Sequence, residues 1–171
     1  MAKSADAGVW GKMNLKVQRE IVVLNAPATF APELKRLDDV KVVKSIGAAR
    51  SIAFSLAFVT TQAEVDALAP ALASKSDGDA IVWFAYPKGS SKRYTCEFNR
   101  DTGWRVMGEA GFEPVRMVAI DEDWSAVRFR RAAFIKTLNR GAEHALSAEG
   151  RAKANASKRP IRSTKSASKK R

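Results

Sequence analysis

Apolar residues occur along the chain in short runs that are separated by amphipathic or polar stretches. Six of these runs predict strands, which cover residues 20–25, 40–44, 52–59, 80–85, 114–120 and 124–130. Three of the runs are apolar at successive positions, which is expected for strands that are covered on both faces. The last run differs, because Val127 and Phe129 alternate with Ala126, Arg128 and Arg130.

Helices are predicted between the strands. The helix after the third strand begins at Thr60 or Thr61 and has Glu64 in its first turn, where such side chains satisfy free backbone N–H groups. Other helices are predicted at 29–37, from about 100 to 110 with Gly111 just beyond the end, and around 134–138. The sequence SDGD at 76–79 is typical of a turn.

The alternation of strands and helices predicts an α/β fold with a mostly parallel, Rossmann-like sheet of about six strands and helices on both faces. The last two strands are joined by only a few residues, so they must close the sheet as an antiparallel pair. The predicted boundaries are a flexible N-terminus at 1–12, an α/β domain at 13–140, and a helical linker with a disordered Lys/Arg-rich tail at 141–171.

The positive charge of the chain is concentrated in this tail. The net charge is +12, of which residues 151–171 contribute nine positive charges and no acid, so that +3 remains for residues 1–150. The tail cations are Arg151, Lys153, Lys158, Arg159, Arg162, Lys165, Lys169, Lys170 and Arg171. Such a segment has too few apolar residues to fold alone, and mobile cations neutralise nucleic-acid phosphates without sequence preference. The tail therefore predicts DNA or RNA as a partner, with a purely solubilising tail as the alternative.

The layout is similar to the Rossmann-like fold of methyltransferases that use S-adenosylmethionine (SAM), whose sheets also end in an antiparallel strand pair. Residues 80–131 further resemble a domain-of-unknown-function family of small uncharacterised bacterial proteins. This resemblance is carried by IVWFAYPKGSSK, NRDTGW and EAGFEPVRMVAIDEDWSAVRFR and, more weakly, by IVVLNAP. It implies the fold and no established activity.

The sequence departs from SAM enzymes at the residues that hold the cofactor. Those enzymes have a glycine-rich turn after the first strand and a carboxylate after the second strand for the ribose hydroxyls. Here the first turn, at 25–30, has no glycine, and the second strand ends in Lys44, Ser45, Ile46 and Gly47. Since a Cβ prevents close approach of the backbone to the cofactor, we predict that the chain has no cofactor and does not bind SAM.

The loop PKGSSK follows the fourth strand and lies beyond the carboxyl ends of the strands, where open α/β sheets bind ligands. It combines two cations and two hydroxyls with a glycine that permits unusual backbone angles, so it is a candidate anion site. The candidate anion-binding residues are Lys88, Gly89, Ser90, Ser91 and Lys92. The alternative, which we favour, is a solvated connector.

Two polar clusters each allow a structural and a functional interpretation. Residues 99–101 either begin a helix with Trp104 in the core, which we favour, or line a pocket with Trp104 as one wall. Residues 121–123 are acidic, and they either hold a divalent cation or, as we prefer, are neutralised across the paired strands. The arginines that would neutralise them are Arg116, Arg128 and Arg130.

No catalytic residue and no metal site is predicted. The single histidine, His144, lies beyond the last core element, with no nucleophile or carboxylate at a suitable spacing. Cys96 is the single cysteine, which excludes an internal disulfide and fits a reducing cytoplasm. Lys92 and Arg93 are expected to lower its pKa, but a thiol without a base does not make a catalytic site.

These patterns predict a cytoplasmic, nucleoid-associated and non-enzymatic α/β module, whose tail binds nucleic acid nonspecifically. No membrane association is expected, because the longest apolar run is far shorter than the ~20 residues of a membrane span. Two alternatives remain open. One is a small-molecule-binding or transferase enzyme that uses the carboxyl ends of the strands, and the other is an interaction protein that docks through a sheet edge or its arginine-rich last strand.

Overall fold

The computed structural model of the protein describes residues 8–138 and 141–157. They form one sheet with strands β1 (Glu20–Leu24), β2 (Lys41–Val43), β3 (Ile52–Phe58), β4 (Ser76–Pro87), β5 (Phe112–Ala119) and β6 (Trp124–Arg131). The strands are ordered β2-β1-β3-β4-β6-β5 across the sheet. The first four strands are parallel, and β6 is antiparallel to both of its neighbours. The predicted α/β fold with a closing antiparallel pair is therefore confirmed.

The helices are α1 (Val9–Lys12), α2 (Ala31–Leu34), α3 (Gln62–Lys75), α4 (Arg105–Glu109) and α5 (Ala148–Ser157). Short 3₁₀ turns occupy Ala28–Phe30, Ala132–Phe134 and Ala142–His144. The start of α3 is as predicted, because the Thr61 hydroxyl accepts the Glu64 N–H at 3.2 Å and the Glu64 carboxylate accepts the Thr61 N–H at 3.3 Å. Within the described part of the chain, no helix has the length and apolar character that a membrane crossing requires.

Two apolar layers cover the sheet. On one face, α3 and α4 pack over a buried cluster that includes Phe84 and Trp104. On the opposite face, the N-terminal segment packs over a second cluster, to which Trp10, Met13 and Trp83 belong. The Trp83 indole N–H donates to the Met13 carbonyl oxygen at 2.9 Å, which fixes this segment beneath β4.

The predicted flexible N-terminus at 1–12 therefore needs correction for residues 9–12. These residues form α1, and Trp10 is only 2% exposed. The Trp10 indole N–H donates to the Glu33 carbonyl oxygen at 2.9 Å, so its polar atom is satisfied inside the protein. Residues 1–7 lie outside the described part of the chain.

The turn predicted at 76–79 is wrong, because β4 begins at Ser76. The register between β3 and β4 is irregular between Ile52 and Phe54, where extra residues of β4 bulge out of the ladder. Gly78 lies in this bulge with a φ of 53°, a conformation that glycine adopts without steric cost. The same composition that is typical of a turn thus serves a bulge within one strand.

Three helical segments are shorter than predicted. The region 29–37 contains a 3₁₀ turn followed by the four residues of α2, and the region 134–138 contains only the end of a 3₁₀ turn. The helix predicted over 100–110 is reduced to α4. Its first half is a turn instead, in which the Asn99 side-chain oxygen accepts the Asp101 N–H at 2.8 Å. This local side-chain bond competes with helix formation.

The C-terminal segment packs against the start of β5. Glu113 is fully buried, and its carboxylate accepts the N–H groups of Leu146 at 3.0 Å and Ser147 at 2.7 Å and the Ser147 hydroxyl at 2.8 Å. The Ser147 hydroxyl oxygen in turn accepts the Gly150 N–H at 2.8 Å, which caps α5. The segment can approach α4 closely because Gly108 has no side chain. A Cβ at this position would overlap the Leu146 carbonyl.

Within the predicted linker and tail, residues 148–157 form the docked helix α5. Lys153 donates to the carbonyl oxygens of Ala132 and Ile135, so this predicted nucleic-acid-binding cation is engaged by the body of the protein. Arg151 is exposed on the same helix. The other predicted tail cations, and the disorder predicted for them, lie outside the described residues: Lys158, Arg159, Arg162, Lys165, Lys169, Lys170 and Arg171.

Candidate functional site

The carboxyl ends of β1 and β3 form the topological switch point of the sheet. The chain leaves β1 for β2 on one side and then returns to β3 on the other, and ligands of open α/β sheets bind in the crevice at such a point. Asn25, directly after β1, has a φ of 56°, a left-handed conformation in which glycine is usual and asparagine is enriched. Its side-chain amide donates to the Phe58 carbonyl oxygen at 3.5 Å and therefore spans the mouth of the crevice.

The N-terminus of α3 opens at the same edge of the sheet and is occupied by acidic side chains. The Glu97 carboxylate accepts the Gln62 N–H at 2.8 Å, beside the contacts of Glu64. The Glu97 N–H donates to the Thr60 carbonyl oxygen at 3.1 Å, so the segment that carries it crosses the end of β3. Carboxylates stabilise this end of a helix because it carries partial positive charge. The sequence did not single out Glu97, since its partner lies 35 residues away.

The PKGSSK loop lies beside this segment, at the carboxyl end of β4. The Lys88 N–H donates to the Asp123 carbonyl oxygen at 2.7 Å, and the Ser91 hydroxyl donates to the Asp123 carboxylate at 2.8 Å. Ser91 also accepts the Tyr94 N–H at 3.1 Å, so its hydroxyl already has partners. Gly89, Ser90 and Lys92 are exposed and Lys88 is half-buried. An anion would therefore be met here by the two lysines and the exposed part of the loop.

The acidic residues 121–123 are held within their own loop and by the PKGSSK loop. Asp121 accepts the N–H groups of Asp123 and Trp124, both at 2.8 Å, and the Asp123 carboxylate lies 3.9 Å from Nε of Arg93. Among residues 8–138 and 141–157, no group of three histidine, cysteine or acidic side chains is placed to hold a metal ion.

The predicted neutralisation of these acids by the strand arginines is wrong. Arg130 pairs instead with Asp79 from the β4 bulge, at 2.8 and 2.6 Å. In the described part of the chain, Arg116 and Arg128 form no ion pair. The acids lie at one end of β6, whereas Arg128 and Arg130 lie further along it, beyond the reach of the turn.

A groove of about 840 Å³ lies along β5. It is lined by Arg100, Asp101 and Trp104 on one side, by residues 114–117 of β5, and by residues 143–146 on the other side. No helix begins at 99–101, so this part of the interpretation that we favoured is wrong, but Trp104 packs in the core as that interpretation expected. The alternative of a pocket beside Trp104 agrees with the groove. The sequence missed residues 114–117 and 143–146 as lining residues, because only the tertiary fold brings them together.

His144 lines the same groove and is largely exposed. Its Nε2 lies 3.8 Å from the Glu143 carboxylate. This exposed pair is separated from the PKGSSK loop by the width of the closing strand pair, so the structure does not bring the histidine to the switch point.

The pKa of Cys96 is raised, and the predicted lowering by Lys92 and Arg93 is wrong. Burial of the thiol is the main cause of the raised pKa. The hydrogen bond from the Phe98 N–H lowers the pKa, whereas the negative charges of Glu97 and Glu64 raise it further. The thiol is therefore protonated at neutral pH and is not an activated nucleophile.

The pKa of Tyr86 is raised to about 12, mainly by burial and then by the neighbouring Cys96. Because unfolded tyrosine ionises near pH 10, this contribution to stability is fully present below pH 10 and is lost by about pH 12. We expect the free energy of unfolding to fall over this range by up to about 3 kcal/mol. Urea denaturation at a series of alkaline pH values should show the fall in the wild type and less of it in Tyr86→Phe. Tyr94→Phe is the control, and an equal slope in the wild type and Tyr86→Phe would contradict the prediction.

No protein-family model matches the sequence, and no similar chain is found among curated proteins. The fold, in contrast, is similar to solved structures. A SAM dependent methyltransferase from Aquifex aeolicus superimposes with a TM-score of 0.54 at 14% identity, over 72% of this chain and 87% of that chain. N-methyltransferase NodS from Bradyrhizobium japonicum WM9 gives a TM-score of 0.46 at 14% identity, over 75% of this chain and 82% of that chain. The superposition on the Aquifex aeolicus structure shows that the chain has the Rossmann-like fold of SAM-dependent methyltransferases.

This similarity contradicts the interpretation of the chain as a non-enzymatic module whose tail carries its function. The Aquifex aeolicus structure that shares the fold is described as a SAM dependent methyltransferase, and it covers 72% of this chain. The alternative of a small-molecule-binding or transferase enzyme of methyltransferase-like fold agrees better with the comparison.

The residues at the switch point do not fit SAM, the cofactor that the fold implies. Asn25 supplies the left-handed backbone that a glycine would provide, but its side chain spans the crevice. Lys44 and Ser45 follow β2, where the ribose of SAM would need an acid. The Glu97 carboxylate lies at the N-terminus of α3, and the segment that carries Glu97 crosses the end of β3. The edge thus has a cation where the cofactor would need an acid, and the Asn25 side chain lies across the crevice.

Proposed function

We propose that the protein is a small-molecule-binding transferase of methyltransferase-like fold, and that it takes an anionic small molecule at the carboxyl ends of its strands. One observation carries this proposal: the cationic PKGSSK loop lies at the carboxyl end of β4, next to the switch point at which this class of sheet binds ligands. As part of the same proposal, the chain belongs with the small uncharacterised bacterial proteins that residues 80–131 resemble.

The charge at this edge supports an anionic ligand. Lys44, Lys88 and Lys92 form no ion pair with any residue in 8–138 or 141–157, so their charges are available. Gly89 has no atom within 4 Å of the position that a Cβ would take, which leaves room for a ligand at the tip of the loop. A phosphate or carboxylate group would be held here by lysines acting as mobile point charges and by backbone N–H groups.

The test compares SAM with anionic ligands. We expect isothermal calorimetry to show no binding of SAM at micromolar concentrations, and thermal-shift measurements to show stabilisation by one or more sugar phosphates or nucleotides, since a ligand of the native state raises its stability. Micromolar binding of SAM would show that the crevice opens for the methyltransferase cofactor and would overturn the choice of ligand. Stabilisation by neither group of compounds would overturn small-molecule binding itself.

The double substitution Lys88→Ala and Lys92→Ala separates binding from folding. We expect the free energy of unfolding to change by no more than about 1 kcal/mol, because neither lysine forms an ion pair within the described residues and charges at the surface contribute little. The thermal shift given by anionic ligands should be lost. A control with Lys16→Ala and Lys35→Ala removes the same charge from exposed positions elsewhere. Equal ligand shifts in the two double variants would show that the loop is only a connector.

A further inference from the structure

β5 is the outer strand of the sheet, and within the described residues no strand pairs with its free side. An edge strand presents unpaired N–H and C=O groups, which can pair with an extended segment of another chain. Val115 and Met117 on this strand are 38% and 42% exposed and line the groove of about 840 Å³. Residues 115–119 of β5 are exposed or half-buried, so this part of the strand is accessible to a further strand.

The opposite face of the same strand carries an unbalanced charge. Arg116 stands directly opposite Arg128 of β6 in the antiparallel register. Like charges at such positions have Cβ atoms about 5 Å apart and destabilise the pair. The nearby acid Asp79 is committed to Arg130 by two hydrogen bonds. Glu113 stands opposite Arg130 in the same register, but its carboxylate is committed to Leu146 and Ser147. Three arginines, one aspartate and one glutamate leave a net charge of +1 on this part of the sheet.

Arg128 is the most constrained member of the row. Its Nε is buried and has no hydrogen-bond partner in the described part of the chain. Burial is the main cause that lowers the pKa of Arg128, and the positive charge of Arg130 lowers it further. The negative charge of Asp79 partly opposes this shift. A partly desolvated charge without a partner costs free energy that an acid from outside would recover. Residues 158–171 are not that source, because they contain seven Lys/Arg and no acid.

We propose that β5 is a docking edge for an extended acidic segment of a partner protein, which adds to the sheet as a strand and places a carboxylate in the row of Arg116 and Arg128. In an added strand, the residue opposite Arg116 has its side chain on the same face, and carboxylates bind the planar guanidinium group through paired hydrogen bonds. In the added strand, the residues before and after the one opposite Arg116 point to the other face of the sheet, towards Met117 and the groove. The partner segment therefore alternates acidic and apolar residues.

Charge also decides between this partner and a second copy of the chain. Pairing of two β5 edges would bring further arginines towards the same row and increase the repulsion. A segment with alternating acidic residues removes the repulsion. The proposal does not depend on the ligand at the PKGSSK loop, because β5 is separated from β4 by β6.

The test uses a fluorescein-labelled peptide of nine residues in which glutamate and valine alternate, and fluorescence anisotropy with the full chain. We expect saturable binding that Arg116→Gln weakens at least tenfold. Arg50→Gln removes the same charge from an exposed position elsewhere and should change the affinity less than twofold. A peptide with lysine in place of glutamate should not bind the wild type.

Two further measurements keep a misfolded variant from imitating the result. Arg116→Glu should bind the lysine peptide and lose the glutamate peptide, a gain that an unfolded chain cannot give. N-methylation of alternate peptide nitrogens should abolish binding, because it removes the hydrogen bonds of an added strand. Absence of binding by the glutamate peptide, equal binding by the lysine peptide, or full binding by the N-methylated peptide would each overturn the proposal. Tighter binding of a single-stranded oligonucleotide that depends on Arg116 would overturn it in favour of a nucleic-acid partner.

Discussion

Replacing Trp104 with alanine is expected to lower the free energy of unfolding by about 3–5 kcal/mol, the range for truncation of a large buried aromatic side chain. Trp104 is 2% exposed, although it also borders the groove beside β5. Its ring lies at the centre of an aromatic cluster, with ring centroids 5.0 to 5.8 Å from four neighbours. These neighbours are Phe84, Tyr86, Phe98 and Phe129. Truncation leaves a cavity that the turn at 99–103 and the strands of the sheet fill only in part.

The measurement is urea denaturation followed by far-ultraviolet circular dichroism. Phe134→Ala is the control, because Phe134 is 43% exposed and its truncation removes little buried area. A loss smaller than about 1 kcal/mol in Trp104→Ala would mean that the cluster can collapse around the missing ring. That outcome would place the turn at 99–103 among the mobile parts of the protein.

Replacing Glu113 with alanine is expected to lower the free energy of unfolding by about 3 kcal/mol, since buried donors that lose a charged acceptor cost 1–3 kcal/mol each. The carboxylate is the acceptor for two backbone N–H groups and one hydroxyl, all from Leu146 and Ser147. Its loss releases the cap of α5 from β5. Glu113→Gln keeps one acceptor oxygen and should lose less.

Hydrogen exchange shows where in the chain this loss of stability occurs. In Glu113→Ala the amides of Leu146 and Ser147 should exchange faster, while those of β3 and β4 keep their protection relative to global unfolding. Glu109→Ala is the matched control, because Glu109 is exposed and its carboxylate pairs with the exposed Arg105 at 2.8 Å. Unchanged exchange at both amides in Glu113→Ala would show that the C-terminal segment is held by other contacts. A deletion that begins at residue 147 should therefore destabilise the body, although the composition of 147–171 predicts no such effect.

The strands and the start of α3 could be predicted because their signals are local. An apolar run such as 52–59 indicates a strand that is covered on both faces. Thr61 and Glu64 satisfy the first N–H groups of α3 within four residues. The antiparallel closure followed from the length of one connection. Each of these inferences needs only neighbouring residues and one rule of backbone geometry.

The remaining features depend on contacts that are distant in sequence. SDGD at 76–79 fits both a turn and a bulge, and only the partner strand β3 decides between them. Glu113 lies just before the strand that was predicted at 114–120 and has no local signal of burial, yet it is buried by residues more than 30 positions away. The same holds for Glu97 at α3 and for the groove. Sequence periodicity shows that a side chain points away from the apolar face of its strand. It does not show which later segment of the chain will cover that side chain.

The placement of the tryptophans gives the protein a built-in optical probe. All four indoles of the chain are 3% exposed or less, so their fluorescence should shift to longer wavelength when the protein unfolds. Trp10, Trp83 and Trp124 belong to the layer beneath the sheet, whereas Trp104 lies in the layer formed with α3 and α4. A variant that retains Trp104 alone therefore reports one layer, and a variant that lacks only Trp104 reports the other. Coincident or separate emission changes in the two variants show whether the layers open as a single unit.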